Sequence, residues 1–163
     1  MPEASDPYWK LAPEEATSST DACQCPGTLP IVLQDHLSCV PLACLKCNGE
    51  VPPSGIGFPA ALAEELASWR NFHRAFFTLW LDSGKYESWA RAQLEDPESP
   101  VNTRGLQAVS KLNEYRRTYY WWFHDQDAGD SVMCPSCPRC DGPFTASFGK
   151  FICDRCSIGV SAG

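Results

Sequence analysis

The sequence predicts an α+β fold in which a small helical core with short β-strands is followed by a cysteine-rich β-hairpin at the carboxyl end. Three observations predict it. A helical pattern of apolar residues runs from Pro59 to Gly84, an aromatic run at 118–124 alternates like a strand, and two Cys-x-x-Cys pairs close the chain. We therefore divide the chain into a flexible acidic leader (1–22), an α+β core with a cysteine turn (23–124), a linker (125–132) and a metal-binding hairpin (133–163).

Composition and cysteine usage indicate a folded protein of a reducing compartment. Of the 163 residues, 44% are hydrophobic, which is the share of a packed domain and not of a disordered chain. The amino-terminal stretch has neither the basic start nor the apolar core of an export signal, and no segment has the length of a membrane span. Ten cysteines in such a chain favour metal-bound thiolates over disulfides, so we expect a cytoplasmic protein.

The first part of the chain has weak structural signals. Residues 1–22 are rich in Pro, Glu, Ser and Thr and show no sustained period, so we expect them to be flexible. The apolar run at 29–33 predicts a short strand. Because Pro30 interrupts it, an edge position in a sheet is favoured.

A Cys-x-x-Cys turn follows at Cys44 and Cys47, with an Asn-Gly pair directly after it. Such a turn aims two sulfurs at one point and therefore predicts a second metal site. The other interpretation is a turn that carries two small, partly buried thiols. Two further ligands would have to come from outside the turn, with Cys23 and Cys25 as the first candidates and Cys39 or His36 as alternatives.

Three helices are predicted between residues 59 and 113. The first runs from Pro59 to Gly84, the second over 86–94, and the third from Pro100 to about Asn113. Gly105 weakens the prediction for the first turns of the third helix. His73 lies among the apolar residues of the first helix, and we interpret it as a core or boundary residue. The apolar face of that helix consists of Leu62, Leu66, Trp69, Phe72, Phe76 and Leu79.

The aromatic run at 118–124 predicts a strand whose odd-numbered side chains lie on one face and even-numbered ones on the other. Because both faces are apolar, we interpret it as a core strand. The alternative is a stacking platform for single-stranded nucleic acid beside Arg116 and Arg117.

The carboxyl end has the spacing of a zinc ribbon. Cys137-x-x-Cys140 is followed after twelve residues by Cys153-x-x-Cys156, and the residues between them predict two arms of a hairpin that turns at Gly149-Lys150. Four thiolates around one cation make a closed, structural site. Zinc is the expected metal, with rubredoxin-like iron as the alternative. The segment is too short to fold on its own core, whereas metal binding supplies about 10–16 kcal/mol.

Two alternatives concern the ligands of this site. Cys134-x-x-Cys137 overlaps Cys137-x-x-Cys140, so either pair can supply the first two sulfurs. We favour Cys137 and Cys140, because Asp141-Gly142 supplies a turn after the second cysteine. The cysteines can also form disulfides or stay unligated, which cytosolic usage disfavours.

The net charge of −7 argues against a protein that its overall field holds on duplex DNA. Positive charge is nevertheless concentrated in the carboxyl half, where Phe148 or Phe151 would supply a stacking surface. A merely solvated basic face is the other interpretation. The candidate contacts to RNA or single-stranded DNA are Arg116, Arg117, Arg139, Lys150 and Arg155.

Taken in order, several segments resemble an uncharacterised bacterial family described as zinc-ribbon-containing, with a suggested role in nucleic-acid binding. The resemblance covers the chain from about Leu29 to Ser157, although members of that family often have a longer amino-terminal part. It implies zinc at Cys137, Cys140, Cys153 and Cys156 and an earlier cysteine pair at Cys44 and Cys47. The segments that carry it are PLACLKCNGEVPP, ELASWRNFHRAFFTLWLDSGKYESWA, SPVNTRGL, TYYWWF and the closing cysteine pairs.

No phosphate-binding glycine loop, Gly-x-Ser-x-Gly elbow or His-Glu-x-x-His motif occurs in the sequence. We therefore expect a binding protein and not an enzyme. One hypothesis is contact with RNA or single-stranded DNA through the hairpin and the adjoining basic and aromatic stretch. The alternative is an acidic adaptor that binds another protein, with zinc purely structural.

Overall fold

The computed structural model describes residues 6–13, 15–35, 39–125 and 134–162. The fold is α+β, as predicted, and none of the helices in these ranges is long and apolar enough to cross a membrane. Apart from Asp125, the predicted linker at 125–132 lies outside the described residues. The helices are α1 (Ala60–Asp82), α2 (Glu87–Glu95) and α3 (Pro100–Leu112), and the strands are β1 (Ile31–Leu33), β2 (Leu42–Cys44), β3 (Thr118–Trp121), β4 (Thr145–Ser147), β5 (Lys150–Cys153) and β6 (Ile158–Ser161).

The six strands form one mixed sheet in the order β2-β1-β3-β6-β5-β4. The three central strands β1, β3 and β6 are parallel, with Ile31 beside Thr118 and Tyr120 beside Ile158. The flanking strands β2, β5 and β4 are antiparallel to their neighbours. The carboxyl ends of β1, β3 and β6 therefore meet at one edge of the sheet and their amino ends at the opposite edge.

Strand β3 carries the aromatic run and belongs to the core. Tyr120 and Trp122 pack in the main cluster, whereas Tyr119 and Trp121 belong to a smaller cluster with Val32. Tyr119, Tyr120 and Trp122 are 3%, 1% and 5% exposed. Burial leaves Tyr119 and Tyr120 no ring face for a base, which supports the interpretation as a core strand, whereas Trp121 and Phe123 are half-buried.

Helix α3 approaches the sheet most closely at Gly105. A Cβ atom there would lie 2.2 Å from Cε2 of Tyr120 and 2.7 Å from Nε1 of Trp69. The hydroxyl of Tyr120 donates a hydrogen bond to Asn102 Oδ1 at 2.9 Å, and the indole of Trp69 donates to the carbonyl of Val101 at 3.1 Å. The glycine that weakens the helix prediction thus permits this contact between helix and strand.

Part of the leader packs against the fold, so the prediction that residues 1–22 are flexible is wrong for this part. Leu11 is fully buried in the main core, and the hydroxyl of Tyr8 donates a hydrogen bond to the carbonyl of Phe58 at 2.6 Å. The buried guanidinium of Arg70 donates to the carbonyl of Lys10 at 3.0 Å. A few apolar contacts and one buried cation hold a stretch whose composition alone suggests disorder.

Candidate metal centres

The structure brings eight of the ten cysteines into two groups of four. Within each group, the four sulfur atoms all lie within 4.8 Å of one another. A tetrahedron with metal–sulfur bonds of about 2.3 Å has edges of about 3.8 Å between sulfurs, and Cys140 and Cys153 place theirs 3.7 Å apart. All ten cysteines lie in the described ranges, and none of them forms a disulfide there. The amino-terminal group consists of Cys23, Cys25, Cys44 and Cys47, and the carboxyl-terminal group of Cys137, Cys140, Cys153 and Cys156.

The turn at 44–49 holds its two sulfurs through backbone hydrogen bonds. The N–H of Cys44 donates to the carbonyl of Gly49 at 2.8 Å, and the N–H of Asn48 donates to the carbonyl of Cys44 at 2.9 Å. Asn48 has a φ of 61°, a left-handed conformation that asparagine tolerates better than most residues. The N–H of Gly49 lies 3.3 Å from the sulfur of Cys47, so the backbone itself stabilises a thiolate there.

The turn at 137–142 repeats this geometry. The N–H of Cys137 donates to the carbonyl of Gly142 at 2.9 Å, the N–H of Asp141 donates to the carbonyl of Cys137 at 2.9 Å, and Asp141 has a φ of 54°. In the third turn, at 153–157, Ser157 also has a φ of 54°. Each Cys-x-x-Cys turn therefore ends in a left-handed residue directly after its second cysteine.

Gly49 allows the segment with Cys23 and Cys25 to pack closely against the turn at 44–47. A Cβ atom on Gly49 would lie 2.8 Å from both the N and the Cα of Cys23. The N–H of Cys23 also donates to the carbonyl of Glu50 at 2.9 Å. Cys39 lies outside the group, and His36 is outside the described residues. Among the described candidates, the structure therefore joins Cys23 and Cys25 to the turn.

Cys134 is not a member of the carboxyl-terminal group. Its sulfur lies 3.1 Å from the carbonyl oxygen of Ser136, and burial raises the pKa of its thiol. Cys137 and Cys140, the pair favoured from the sequence, are the two that lie beside Cys153 and Cys156.

Both groups lie at the same edge of the sheet. Cys44 is the last residue of β2 and lies opposite Ile31, the first residue of β1. Cys153 is the last residue of β5 and lies opposite Ile158, the first residue of β6. Both groups border the main core, and Cys44 is fully buried. The candidate centres thus close the amino-terminal edge of the parallel strands, one on each side of β3.

The acidity of the thiols differs within each group. Burial raises the pKa of Cys23 and of Cys156 to about 12. The backbone N–H of Gly142 lowers the pKa of Cys140 to about 7. Burial opposes ionisation of Cys47, but the N–H of Gly49 and the neighbouring thiols together lower its pKa to about 7. A metal ion has to displace the protons of the less acidic thiols, so its binding depends on pH.

Three of the five predicted nucleic-acid contacts are engaged inside the fold. Arg116 donates from Nε to the carbonyl of Leu29 at 2.8 Å. Arg117 pairs with Asp154 at 3.0 Å, and its guanidinium lies 4.5 Å from the centre of the Tyr119 ring. The ammonium of Lys150 donates to the carbonyl of Leu45. These side chains hold neighbouring segments together, whereas Arg139 and Arg155 are exposed.

A cation occupies the third position of each of the three Cys-x-x-Cys turns that belong to the two groups. Lys46, Arg139 and Arg155 are all exposed. One divalent ion with four thiolates carries a net charge of −2, which these cations offset in part. The regularity was visible in the sequence as Cys-x-Lys/Arg-Cys, but only the structure shows that the three turns serve two centres.

The turn between β4 and β5 exposes an aromatic ring. Phe148 and Gly149 have φ values of 50° and 74°, the left-handed pair of a tight hairpin turn. The predicted turn at Gly149-Lys150 is thus displaced by one residue, because Lys150 already pairs with Ser147. Phe148 is 46% exposed, and the ammonium of Lys46 lies 6.0 Å from the centre of its ring.

No family model, curated protein or solved structure matches this chain. The class of site therefore rests on its geometry. Four sulfur ligands complete a tetrahedral shell and leave no position for water or substrate, which is the arrangement of structural and not of catalytic zinc sites.

Proposed function

We propose that the chain is a zinc protein with two structural tetrathiolate centres, the second of which completes a zinc ribbon within residues 134–162. The observation that carries the proposal is the convergence of two sets of four sulfurs, each within 4.8 Å. Thiolate ligands in this geometry suit Zn²⁺. The first ion joins Cys23 and Cys25 to the turn at 44–47 beside β2, and the second joins the turns at 137–140 and 153–156 beside β5.

Chelation tests this structural role. Stripping both ions from the purified protein should abolish the dispersed amide resonances of the cysteine turns at 44–49, 137–142 and 153–157, and zinc should restore them. The reason is that the ion cross-links the segments that carry the four cysteines of each group, whereas neighbouring residues such as Leu42 and Ile158 are held by their burial in the core. Resonances that keep their dispersion after complete metal removal would overturn the proposal.

We further propose that the surface formed by Phe148 and Lys46 contacts RNA or single-stranded DNA, with Phe148 as the stacking residue. Offsetting the charge of the centres accounts for the exposed turn cations, whereas an exposed phenylalanine has no part in that charge balance. A left-handed conformation costs a residue such as Phe148 about 1–2 kcal/mol, and glycine or asparagine would fill the position at lower cost. Its ring, beside Lys46, therefore supports a contact role.

The chain offers a matched control for this contact. Tyr86 is 51% exposed and has the ammonium of Lys85 at 5.6 Å from its ring, so it reproduces the pair of Phe148 and Lys46 elsewhere on the surface. In fluorescence anisotropy with a labelled oligo-U, Phe148→Ala should weaken binding about tenfold and Tyr86→Ala should leave it unchanged.

The salt dependence is a second readout of the same experiment. Three exposed turn cations predict a slope of about −2 for log K against log salt on a single strand. Lys46→Glu should reduce the magnitude of that slope. Undetectable binding by the zinc-loaded protein, or equal losses in the Phe148→Ala and Tyr86→Ala variants, would overturn the nucleic-acid proposal.

A second candidate function is that of a protein adaptor, and a different surface favours it. Leu81, Tyr86 and Trp89, at the α1–α2 hairpin, are 63%, 51% and 52% exposed. Apolar side chains this large, close together in the chain, suit a protein contact. A stoichiometric partner that is retained in native mass spectrometry and lost in a Trp89→Ala variant would favour the adaptor. Retention unaffected by that substitution would count against this surface.

A further inference from the structure

A cavity of about 310 Å³ lies at the edge of the sheet opposite the metal centres. Gln34 and Asp35 follow directly after β1, residues 122–125 follow after β3, and Ser161 ends β6, and all of them line it. Ligands of α/β proteins bind at the carboxyl ends of parallel strands, because the chain leaves the sheet there and opens a crevice. The volume is within the range of small-molecule sites.

Aromatic rings from α1, from the end of β3 and from the segment after it form the walls of this cavity, with Trp121 and Trp122 among them. Phe77 and Trp80 come from the carboxyl half of α1, and Phe123 comes from the segment after β3. Trp80 and Phe123 meet edge to face with centres 4.8 Å apart and an angle of 80°. Phe77 meets Trp80 at 5.2 Å and 62°, and Phe123 at 6.5 Å and 84°. Rings at angles of 62°, 80° and 84° to one another face in different directions, whereas parallel rings would form a slot for a planar group. The cavity therefore suits a compact group better than a flat one.

The polar side chains that complete the lining include two carboxylates and two histidines, His73 and His124. Asp35 has a side chain only 4% exposed, accepts a hydrogen bond from Arg74 at 2.7 Å, and lies 3.5 Å from Nδ1 of His73. Asp125 lines the cavity as well and pairs with Arg91 at 3.2 Å. Among the described residues that line the cavity there are two carboxylates but no lysine and no arginine.

We propose that this cavity binds a small organic cation of the alkylated ammonium class. Ring faces attract a cation through their quadrupole, and several faces that meet at a corner contact an ammonium group together. Two nearby carboxylates add to the attraction, although their arginine partners offset part of it. A flat neutral ligand would gain little from perpendicular rings, and an anion would meet the carboxylates.

Choline is the probe for this proposal, and 3,3-dimethyl-1-butanol, its uncharged carbon isostere, is the control ligand. Both are titrated into the zinc-loaded full chain while tryptophan fluorescence and ring proton shifts are followed. We expect choline to bind at least about tenfold more tightly than the isostere, since the two differ only in charge. Equal binding of the two, or no choline binding up to about 10 mM, would overturn the proposal.

Two tryptophan variants locate the binding. Trp80→Leu should weaken choline binding at least about tenfold, because it removes one wall. Trp89→Leu is the matched control, since Trp89 is 52% exposed on α2 and does not line the cavity. It should leave binding unchanged. Choline binding that survives Trp80→Leu in a folded variant would place the cation elsewhere and refute the assignment.

Discussion

The substitution Gly49→Ala should weaken metal binding at the amino-terminal centre and leave the carboxyl-terminal centre unchanged. Gly49 follows the turn that carries Cys44 and Cys47, and it packs directly on the backbone of Cys23. In Gly49→Ala, the new Cβ would lie 2.8 Å from two backbone atoms of Cys23, whereas ordinary contacts are 3.4–4 Å. Because backbone cannot rotate away as a side chain can, Cys23 has to move relative to the turn.

The size of the effect follows from this overlap. Overpacking of a well-packed site costs about 1–3 kcal/mol. If the strain is released by moving Cys23 away from the other three sulfurs, the whole cost appears as weaker metal binding. That is about a 5- to 150-fold increase in the dissociation constant of the amino-terminal centre. The carboxyl-terminal centre shares no ligand with this turn, so its affinity should not change.

Competition with a chromophoric chelator measures both affinities in one titration. Gly27→Ala is the matched control, since a Cβ there meets nothing within 4 Å. We expect Gly27→Ala to bind like the parent and Gly49→Ala to retain one tight zinc ion and one weakened ion. Two ions of unchanged affinity in Gly49→Ala would refute the inference that Cys23 and the turn at 44–47 share a metal.

Further predictions concern the ligands, the pH dependence and the core. Cys153→Ser should release one zinc ion by native mass spectrometry and Cys134→Ser none; equal losses would contradict the ligand set. Zinc binding lowers the pKa of its cysteine ligands. The stability that zinc confers is therefore full above the ordinary pKa of a thiol and is lost as pH falls through the lowered pKa of the metal-bound thiols. Both ions should leave between about pH 7 and pH 4, and constant metal content would contradict this. Gly105→Ala should cost about 1–3 kcal/mol in urea denaturation, despite better helix propensity, because its Cβ would lie only 2.2 Å from Cε2 of Tyr120. Gln107→Ala, on the exposed face of α3, should stay within about 0.5 kcal/mol; equal stability of both variants would refute the close packing.

Local signals predicted most of the elements. The three-and-four spacing of apolar residues predicts α1, which spans Ala60–Asp82, and Pro100 predicts the start of α3. Local signals do not predict the order of the strands in the sheet, because that order depends on pairing between strands that are far apart in the chain. Strand β6 escaped prediction, since Ile158–Ser161 is short, contains a glycine and gains its stability from pairing with β3 and β5.

The candidate metal centres likewise combine features that the sequence predicts with features that it does not. Spacing alone predicts each Cys-x-x-Cys turn, because the turn is closed by its own backbone. The partnership of Cys23 and Cys25 with Cys44 and Cys47 depends on the glycine contact at Gly49 and on pairing with Glu50, which spacing does not encode. The aromatic cavity has no local signature either, since parallel strands assemble it from segments far apart in the chain.

Metal content measured on the intact protein tests the central claim most directly. Native mass spectrometry of the purified chain, combined with X-ray absorption at the zinc edge, counts the ions and identifies their ligands. We expect two zinc ions per chain, each with four sulfur neighbours at about 2.3 Å. A chain that carries no zinc, or zinc with nitrogen or oxygen neighbours in place of sulfur, would contradict it.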